Sequence, residues 1–524
     1  MTWIAAVSVL ALTTLGTILR KEYVHHSKIN DLRKQGVAMP AGWNWITGHI
    51  LTLQKRVQQF PPDVNVTLVM ADLAREHSDT EIFLIDLWPF HLPLLIVYEP
   101  DAAVQMTTNL NLPKTSVHLT MMKPITGGEN LITMNGQEWK NWRSLLNPGF
   151  STAAINDSIP HIVKSAKLFQ DKLKEKAPEG IISLDDLATR MTMDVIMKVT
   201  LGADIDYQRS DNALARALGY ITKWHSFWDP QASVNSAIGS EKRSGGRSVA
   251  TLAIEAYLAE NKDNGLPQNN RLNKDFARDA TYQIRLFLFA GNDTTSSTIV
   301  YVYHLLSQHP EALKTMRQEH DKVFGTNIES AAQLLIQRPA LLSQCKFTIA
   351  VIKETLRLYP PAGTMRAGGP GVSITDYCGN VYPMDYVCAT IIHQAVHLNP
   401  RVWPQPRKFL PDRILVNQDH ELYPYPPAFR PFEQGPRNCI GQTLVWNEIQ
   451  IALILTVRTF DITPAYEEWD ATRKVGLLER WKTRIMGELV KTVHGDRAYQ
   501  TDKAGTHPAD GYPCRVSLSK WRSS

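Results

Sequence analysis

The first strong pattern along the chain is "WIAAVSVLALTTLGTIL", Trp3–Leu19, an uncharged run followed at once by Arg20 and Lys21. As a helix it reaches about 25 Å, short of an ideal bilayer span but workable with its flanks. Positive charge follows the run (Arg20, Lys21, Lys28, Arg33, Lys34) and none precedes it. That asymmetry predicts an uncleaved single-pass anchor rather than a signal peptide, with the long C-terminal body on the cytoplasmic side. Residues 1–21 are then the anchor. Residues 22–50, which contain "MPAGWNWITGH" (Met39–His49), form a proline-containing hinge on the membrane surface, and 51–524 form a single domain.

Within that body, "IFLIDLW" and "PLLIVYE" (Ile82–Trp88 and Pro93–Glu99) are rich in strand formers separated by prolines, which predicts a hairpin. Asp101 is the expected N-cap of the next helix. From about 150 to 350 helical periods dominate, broken by "SAIGSEKRSGGRS" (Ser236–Ser248), whose composition is that of a surface loop. Residues 371–392 read as short strands around a Gly379–Asn380 turn, and "CRVSLS" as a closing strand. No internal repeat or linker divides the body. The expected fold class is mainly α with a small β portion (α+β).

Composition changes this picture only by exclusion. The net charge is +5 across 524 residues, without long basic runs. This fits a mildly basic docking face for an acidic partner, not a nucleic-acid binder. Five cysteines, odd in number and without CxxC or CxH spacing, speak against a disulfide framework or a structural zinc site.

One cysteine stands apart, in "FEQGPRNCIGQ", Phe432–Gln442. The segment after it, "QTLVWNEIQIALILTVRTF", is apolar nearly all round, as a buried helix would be. Cys439 would sit just before that helix's N-terminus, where the dipole and free N–H groups favour a thiolate. Gly435 and Gly441 allow tight turns and close approach of a flat partner. Arg437 offers positive charge and Phe432 an aromatic shield. With no histidine in the loop to act as base, a shielded metal ligand suits these residues better than a nucleophile.

The spacing F-x-x-G-x-R-x-C-x-G resembles the haem-ligand signature of the cytochrome P450 family at every fixed position. By average usage these five residues would match a chain of this length by chance about once in ten thousand. The resemblance implies that Cys439 is the axial ligand of haem iron, haem b being the cofactor, and that thiolate donation favours O–O cleavage. Four further segments are similar to family motifs, in the family's order. "ETLR" (Glu354–Arg357) and "FLPDR", ending at Arg413, imply a buried Glu354–Arg357–Arg413 network that braces the haem-side loop. "AGNDTTSS" (Ala290–Ser297) interrupts a long apolar run. Its hydroxyls can simply bond back to carbonyls one turn earlier. The family reading instead makes Asp293 and Thr294 the proton-delivering acid–alcohol pair and has Gly291 leave room for dioxygen. "WKNWR" places Trp139 and Arg143 on one helix face, where the resemblance implies contacts to a haem propionate, and Arg366 in "GTMRAG" matches another propionate position.

The resemblance spans essentially the whole chain and implies one α-rich cytochrome P450 fold. It further implies monooxygenation of a lipophilic substrate, with electrons from NADPH through a separate NADPH–cytochrome P450 reductase and cytochrome b5 as a second donor. The expected location is the endoplasmic reticulum membrane. Basic residues Lys140, Arg143, Arg430 and Arg437 are candidates for the reductase-docking face. Substrate would be bounded by "LPKTSVHLTMMKPITGG" (112–128), residues 205–250, the helix of the 290s, Pro360–Arg366 and the C-terminal hairpin. "PAGWNWITGH" and "HPADGYPCRVSLSKW" resemble filamentous-fungal members, which implies a secondary metabolite of polyketide or terpenoid type. The rival functions are a peroxide isomerase or dehydratase of the same family, and a haem sensor or membrane scaffold.

Overall fold

The computed structural model describes residues 2–224, 248–249, 273–472 and 490–521; the loop expected at 236–248 lies almost wholly outside these residues. The N-terminal apolar run opens a single helix, α1 (Thr2–Lys34). Trp3, Val7, Leu10, Leu15 and Leu19 on its first half are exposed, whereas His25, Ile29 and Leu32 on its second half are buried. His25 Nε2 lies 2.9 Å from Asp86 Oδ1, and Asp86 Oδ2 accepts the Trp43 indole N–H at 2.8 Å. Helix runs on to Lys34, because its second half has a buried face to cover, and the turn comes at Gly36 with φ 87°. Among the described residues no helix is long and apolar enough to cross a membrane. The single-pass anchor is therefore not confirmed.

The expected hairpin forms. Strands β1 (Ile82–Ile85) and β2 (Leu94–Val97) pair antiparallel with Ile82 opposite Val97. Every residue of both is buried, as strands covered on both faces require. Asp101 is not the N-cap of the next helix. Glu99 takes that place, its carboxylate accepting the Ala102 N–H, because Pro100 fits the first helical position, where a missing N–H costs nothing.

Five helices frame the cysteine loop and its surroundings: α2 (Gly136–Leu146), α3 (Leu184–Leu201), α4 (Lys274–Gln308), α5 (Lys346–Leu358) and α6 (Gln442–Thr456). Three-residue β3 (Ile181–Ser183) leads into α3, whose N-cap is the Ser183 hydroxyl. Strands β4 (Thr364–Ala367), β5 (Ser373–Thr375), β6 (Val381–Pro383) and β7 (Cys388–Ile391) come after α5. Strands β8 (Phe460–Pro464) and β9 (Pro513–Leu518) close the chain. The main sheet runs β1–β2–β7–β4, with β2 and β7 parallel; β5–β6 form the ribbon expected around Gly379, and β3–β9–β8 a third sheet. The larger core joins α2 to α6 and the helices between them; the smaller one lies on the main sheet. The architecture is helix-rich with a small β portion, as the sequence predicts.

Helix α4 crosses the middle of the larger core and packs most extensively on α3. Gly291 marks that crossing: a Cβ there would press into the Ile196 side chain. Its expected role of leaving room for dioxygen is thus corrected, since the space above Gly291 belongs to a neighbouring helix. Gly291→Val should destabilise the fold by about 1–3 kcal/mol through overpacking. Urea unfolding should show this, with Ile196→Ala in the same chain recovering most of the loss.

Candidate functional site

The loop before α6 is a tight turn folded back on itself. Cys439 N–H donates to the Phe432 carbonyl at 2.9 Å and Asn438 N–H to the Gly435 carbonyl at 3.1 Å. Gly435 has φ 81°, and a Cβ there would collide with the Thr107 carbonyl, so both conformation and space demand glycine. Phe432 packs on Trp446 of α6 with ring centroids 5.3 Å apart, and Gly441 is the N-cap of α6. From α2, Arg143 donates to the Asn438 carbonyl at 2.9 Å and to Asn438 Oδ1 at 3.1 Å. Arg143 therefore holds the cysteine loop with two of its five N–H donors.

Cys439 has open surface, yet burial pushes its thiol pKa up, against the pull of the Gly441 N–H and Arg143. Both observations fit a sulfur that lines a hollow. The helix N-terminus alone, then, does not secure a thiolate; a cation in direct contact is needed to hold one. Lys114 and His118 share this signature. Each is half-buried, and burial holds each pKa well below its ordinary value.

Positive charge gathers around that hollow with little to oppose it. Arg366 on β4 has no exposed surface, and its Nε and Nη2 have no partner. Its Nη1 donates to Thr364 Oγ1 at 2.9 Å, and Lys114 Nζ donates to the same hydroxyl oxygen at 2.7 Å. Arg437 lies 4.5 Å over the Trp139 ring and donates to the Met134 carbonyl, leaving its Nη1 unpaired. Burial brings the pKa of both guanidinium groups down to about 10; at Arg366 the Glu433 carboxylate opposes the fall and Arg430 adds to it, and at Arg437 the charges of Arg366 and Arg143 add to it. Glu433, the carboxylate that faces Arg366 and Lys114 among the described residues, is already bonded to Arg430 and His393. Unpaired buried cations are costly, so these residues fit a ligand carrying carboxylates beside a metal that takes sulfur. Haem is such a ligand.

Behind the loop, the expected charge network is present and wholly buried. Arg357 donates twice to Glu354, at 2.8 and 2.7 Å, and Arg413 Nε once at 3.0 Å. Arg357 also ties down the carbonyls of His397, Pro406 and Lys408. Two members of this assembly went unread in the sequence. Trp403 lies under both guanidinium groups, 5.1 and 5.7 Å from its ring. His397, kept neutral by burial and by the neighbouring His393 and Arg357, donates through Nδ1 to the Arg357 carbonyl and accepts the Arg430 N–H at Nε2. It thus links the network to the cysteine loop. Lys114 was missed as well. No spacing rule marks it, though the segment containing it was singled out as lining. Arg430 is fully buried and cannot belong to a docking face; of the four residues considered, Lys140 is exposed.

On α4 the two polar neighbours part company. The Thr294 hydroxyl donates to the Ala290 carbonyl at 3.0 Å, the back-bonding that the sequence allowed. Asp293 is buried, with Oδ1 2.9 Å from His507 Nε2 and Oδ2 unpaired. The side chains do not bond each other.

The family model described as "Cytochrome P450" matches residues 39–483. This chain belongs to the cytochrome P450 family. It is 36% identical to "Cytochrome P450 monooxygenase polC" from Polytolypa hystricis, over 98% of this chain and 95% of the relative. It is 28% identical to "Cytochrome P450 monooxygenase acrF" from Aspergillus aculeatus, over 87% and 98%, and 27% identical to "Cytochrome P450 4F12" from Homo sapiens, over 91% and 93%. The fold matches the crystal structure of the cytochrome P450DA heme domain with a TM-score of 0.65 at 18% identity, over 93% of this chain and 99% of that one. The protein is an oxidoreductase of the P450 monooxygenase family, and its cofactor is haem b.

Removing one member of a buried ion network strands the others, typically at a cost of about 3–5 kcal/mol. Arg357→Ala should lose that much by denaturant unfolding and should purify with little haem.

Proposed function

We propose that this P450 inserts one oxygen atom from O2 into a lipophilic secondary metabolite of polyketide or terpenoid type. The other oxygen atom leaves as water, with two electrons from NADPH delivered through a separate reductase. The observation that carries the reading is the open surface of Cys439 in the loop before α6, close to a cluster of Lys114, Arg366 and Arg437 in which Arg366 Nε and Nη2 and Arg437 Nη1 have no partner. Cys439 would ligate the iron, and Arg366, Arg437 and Lys114 would hold the propionates, with Trp139 backing Arg437. Bound there, haem supplies the iron chemistry that reduces and cleaves O2.

The chain's own residues do the rest. Phe432 and Trp446 shield the sulfur, and Arg143 fixes the turn that presents it. Thr294 is the proton donor inside the site and Asp293 the acid that supplies it. Retention of both groups favours oxygen chemistry over peroxide isomerisation or a non-catalytic role. The exposed apolar half of α1, from Trp3 to Leu19, is the membrane-seeking surface, followed by Arg20 and Lys21. It would hold the body at the cytoplasmic face of the endoplasmic reticulum membrane.

Two variants test this. Cys439→Ala should abolish the thiolate-type absorption of bound haem and all NADPH-driven oxidation; a normal spectrum would end the account. Thr294→Ala should keep haem but raise hydrogen peroxide formed per NADPH by about 10-fold or more, the scale of a lost proton-transfer group.

A further inference from the structure

Asp293 is held by a histidine far away in sequence. His507 lies between two carboxylates, Nε2 2.9 Å from Asp293 Oδ1 and Nδ1 2.6 Å from Asp185 Oδ1. The three groups come from three elements: Asp293 from α4, Asp185 from the first turn of α3, and His507 from the loop before β9. Their exposure is graded. The Asp293 side chain is 5% exposed, His507 10% and Asp185 18%, so the outermost carboxylate touches solvent and the innermost is closed from it.

The loop that carries His507 is fixed to α4. Gly505, at φ 68°, lays its backbone against Asp293, where a Cβ would collide with the carboxylate. The Ser297 hydroxyl donates to the Gly505 carbonyl at 3.0 Å and the Tyr301 hydroxyl to that of Thr506 at 3.4 Å. Thr501 donates its N–H and its hydroxyl to the His507 carbonyl. From α3 the charge facing the imidazole is Asp185 and from α4 it is Asp293; the loop's own Asp510 is engaged by Arg497 at 2.6 Å. Burial alone would neutralise the ring, but the two carboxylates outweigh it and lift its pKa to about 10. The imidazolium then donates on both sides.

We propose that His507 is a positioning residue for proton supply, tying the Asp293 carboxylate to the C-terminal loop and relaying protons to it from Asp185. As Asp293 passes a proton inward it takes one from Nε2, leaving a neutral ring protonated at Nδ1; the remaining proton shifts to Nε2 by tautomerisation, and the vacated Nδ1 takes a proton from solvent through Asp185. No electrons move, and the imidazolium is restored. The relay rests on the reading of Asp293 and Thr294 as the proton-delivering pair.

The test uses the holoenzyme with NADPH–cytochrome P450 reductase and no added substrate, reading hydrogen peroxide formed per NADPH in H2O and D2O. His507→Gln should keep the thiolate-type spectrum, raise the peroxide yield severalfold and enlarge the solvent isotope effect. Asp185→Asn, at the outer end, should shift both readouts the same way and serves if His507→Gln folds poorly. A loop-pinning role alone would leave the isotope effect unchanged and so overturns the relay. If Asp293→Asn raises peroxide while His507→Gln and Asp185→Asn behave as wild type, the relay fails and the acid–alcohol reading stands. If Asp293→Asn changes nothing, that reading fails and the relay with it.

A readout independent of turnover is thermal unfolding against pH. The folded pKa is raised above the unfolded value, so the stabilisation is full below about pH 6.5 and is lost as pH rises through 10. Wild type should therefore melt above His507→Gln at pH 6.5, with the gap closing by pH 10; a gap constant over that range contradicts the ion triad.

Discussion

Arg366 lies without exposed surface on β4, and two of its three guanidinium nitrogens meet no partner in the protein. A buried cation left in that state costs several kcal/mol. Arg437 adds another unpaired nitrogen and Lys114 a strongly desolvated amine. The polypeptide therefore folds around charge that it does not itself neutralise. Haem, on the reading proposed above, would complete this arrangement with its carboxylates, and its iron, held by Cys439, would supply the cation that a desolvated thiolate requires. Cofactor binding and folding stability are coupled at this one place.

The scaffold that tolerates this strain is built from charge that is fully neutralised. Glu354, Arg357 and Arg413 are buried and mutually bonded, stacked on Trp403, and joined through His397 to the backbone at Arg430. The cysteine loop is gripped from the other side by Arg143. One side of the loop is thus tied to the α5 network and the other to α2, which fixes the sulfur before any ligand arrives.

Much of this was legible in the sequence, for a physical reason. A ligand loop needs Gly435 at a positive φ against a carbonyl, and a buried acid needs its arginines, so these residues recur at fixed spacing and can be read. The hairpin at Ile82–Val97 and the apolar helix α6 showed through hydrophobic pattern alone. The features that stayed hidden depend on tertiary contact. Lys114, His397 and Trp403 sit in no motif, and His507 reaches Asp293 across more than two hundred positions. Gly291 was misread because a small residue looks the same whether it makes room for a ligand or for Ile196. Arg430 was misassigned to a docking face because sequence gives a charge without saying which way it turns.

The central claim is that Cys439 binds haem iron as a thiolate. The most direct measurement is the absorption spectrum of the purified wild-type protein, reduced and bound to carbon monoxide. A single Soret band at the thiolate-ligated position, with one haem per chain, is the predicted result. A native, haem-loaded protein whose band lies at the imidazole-ligated position would contradict it.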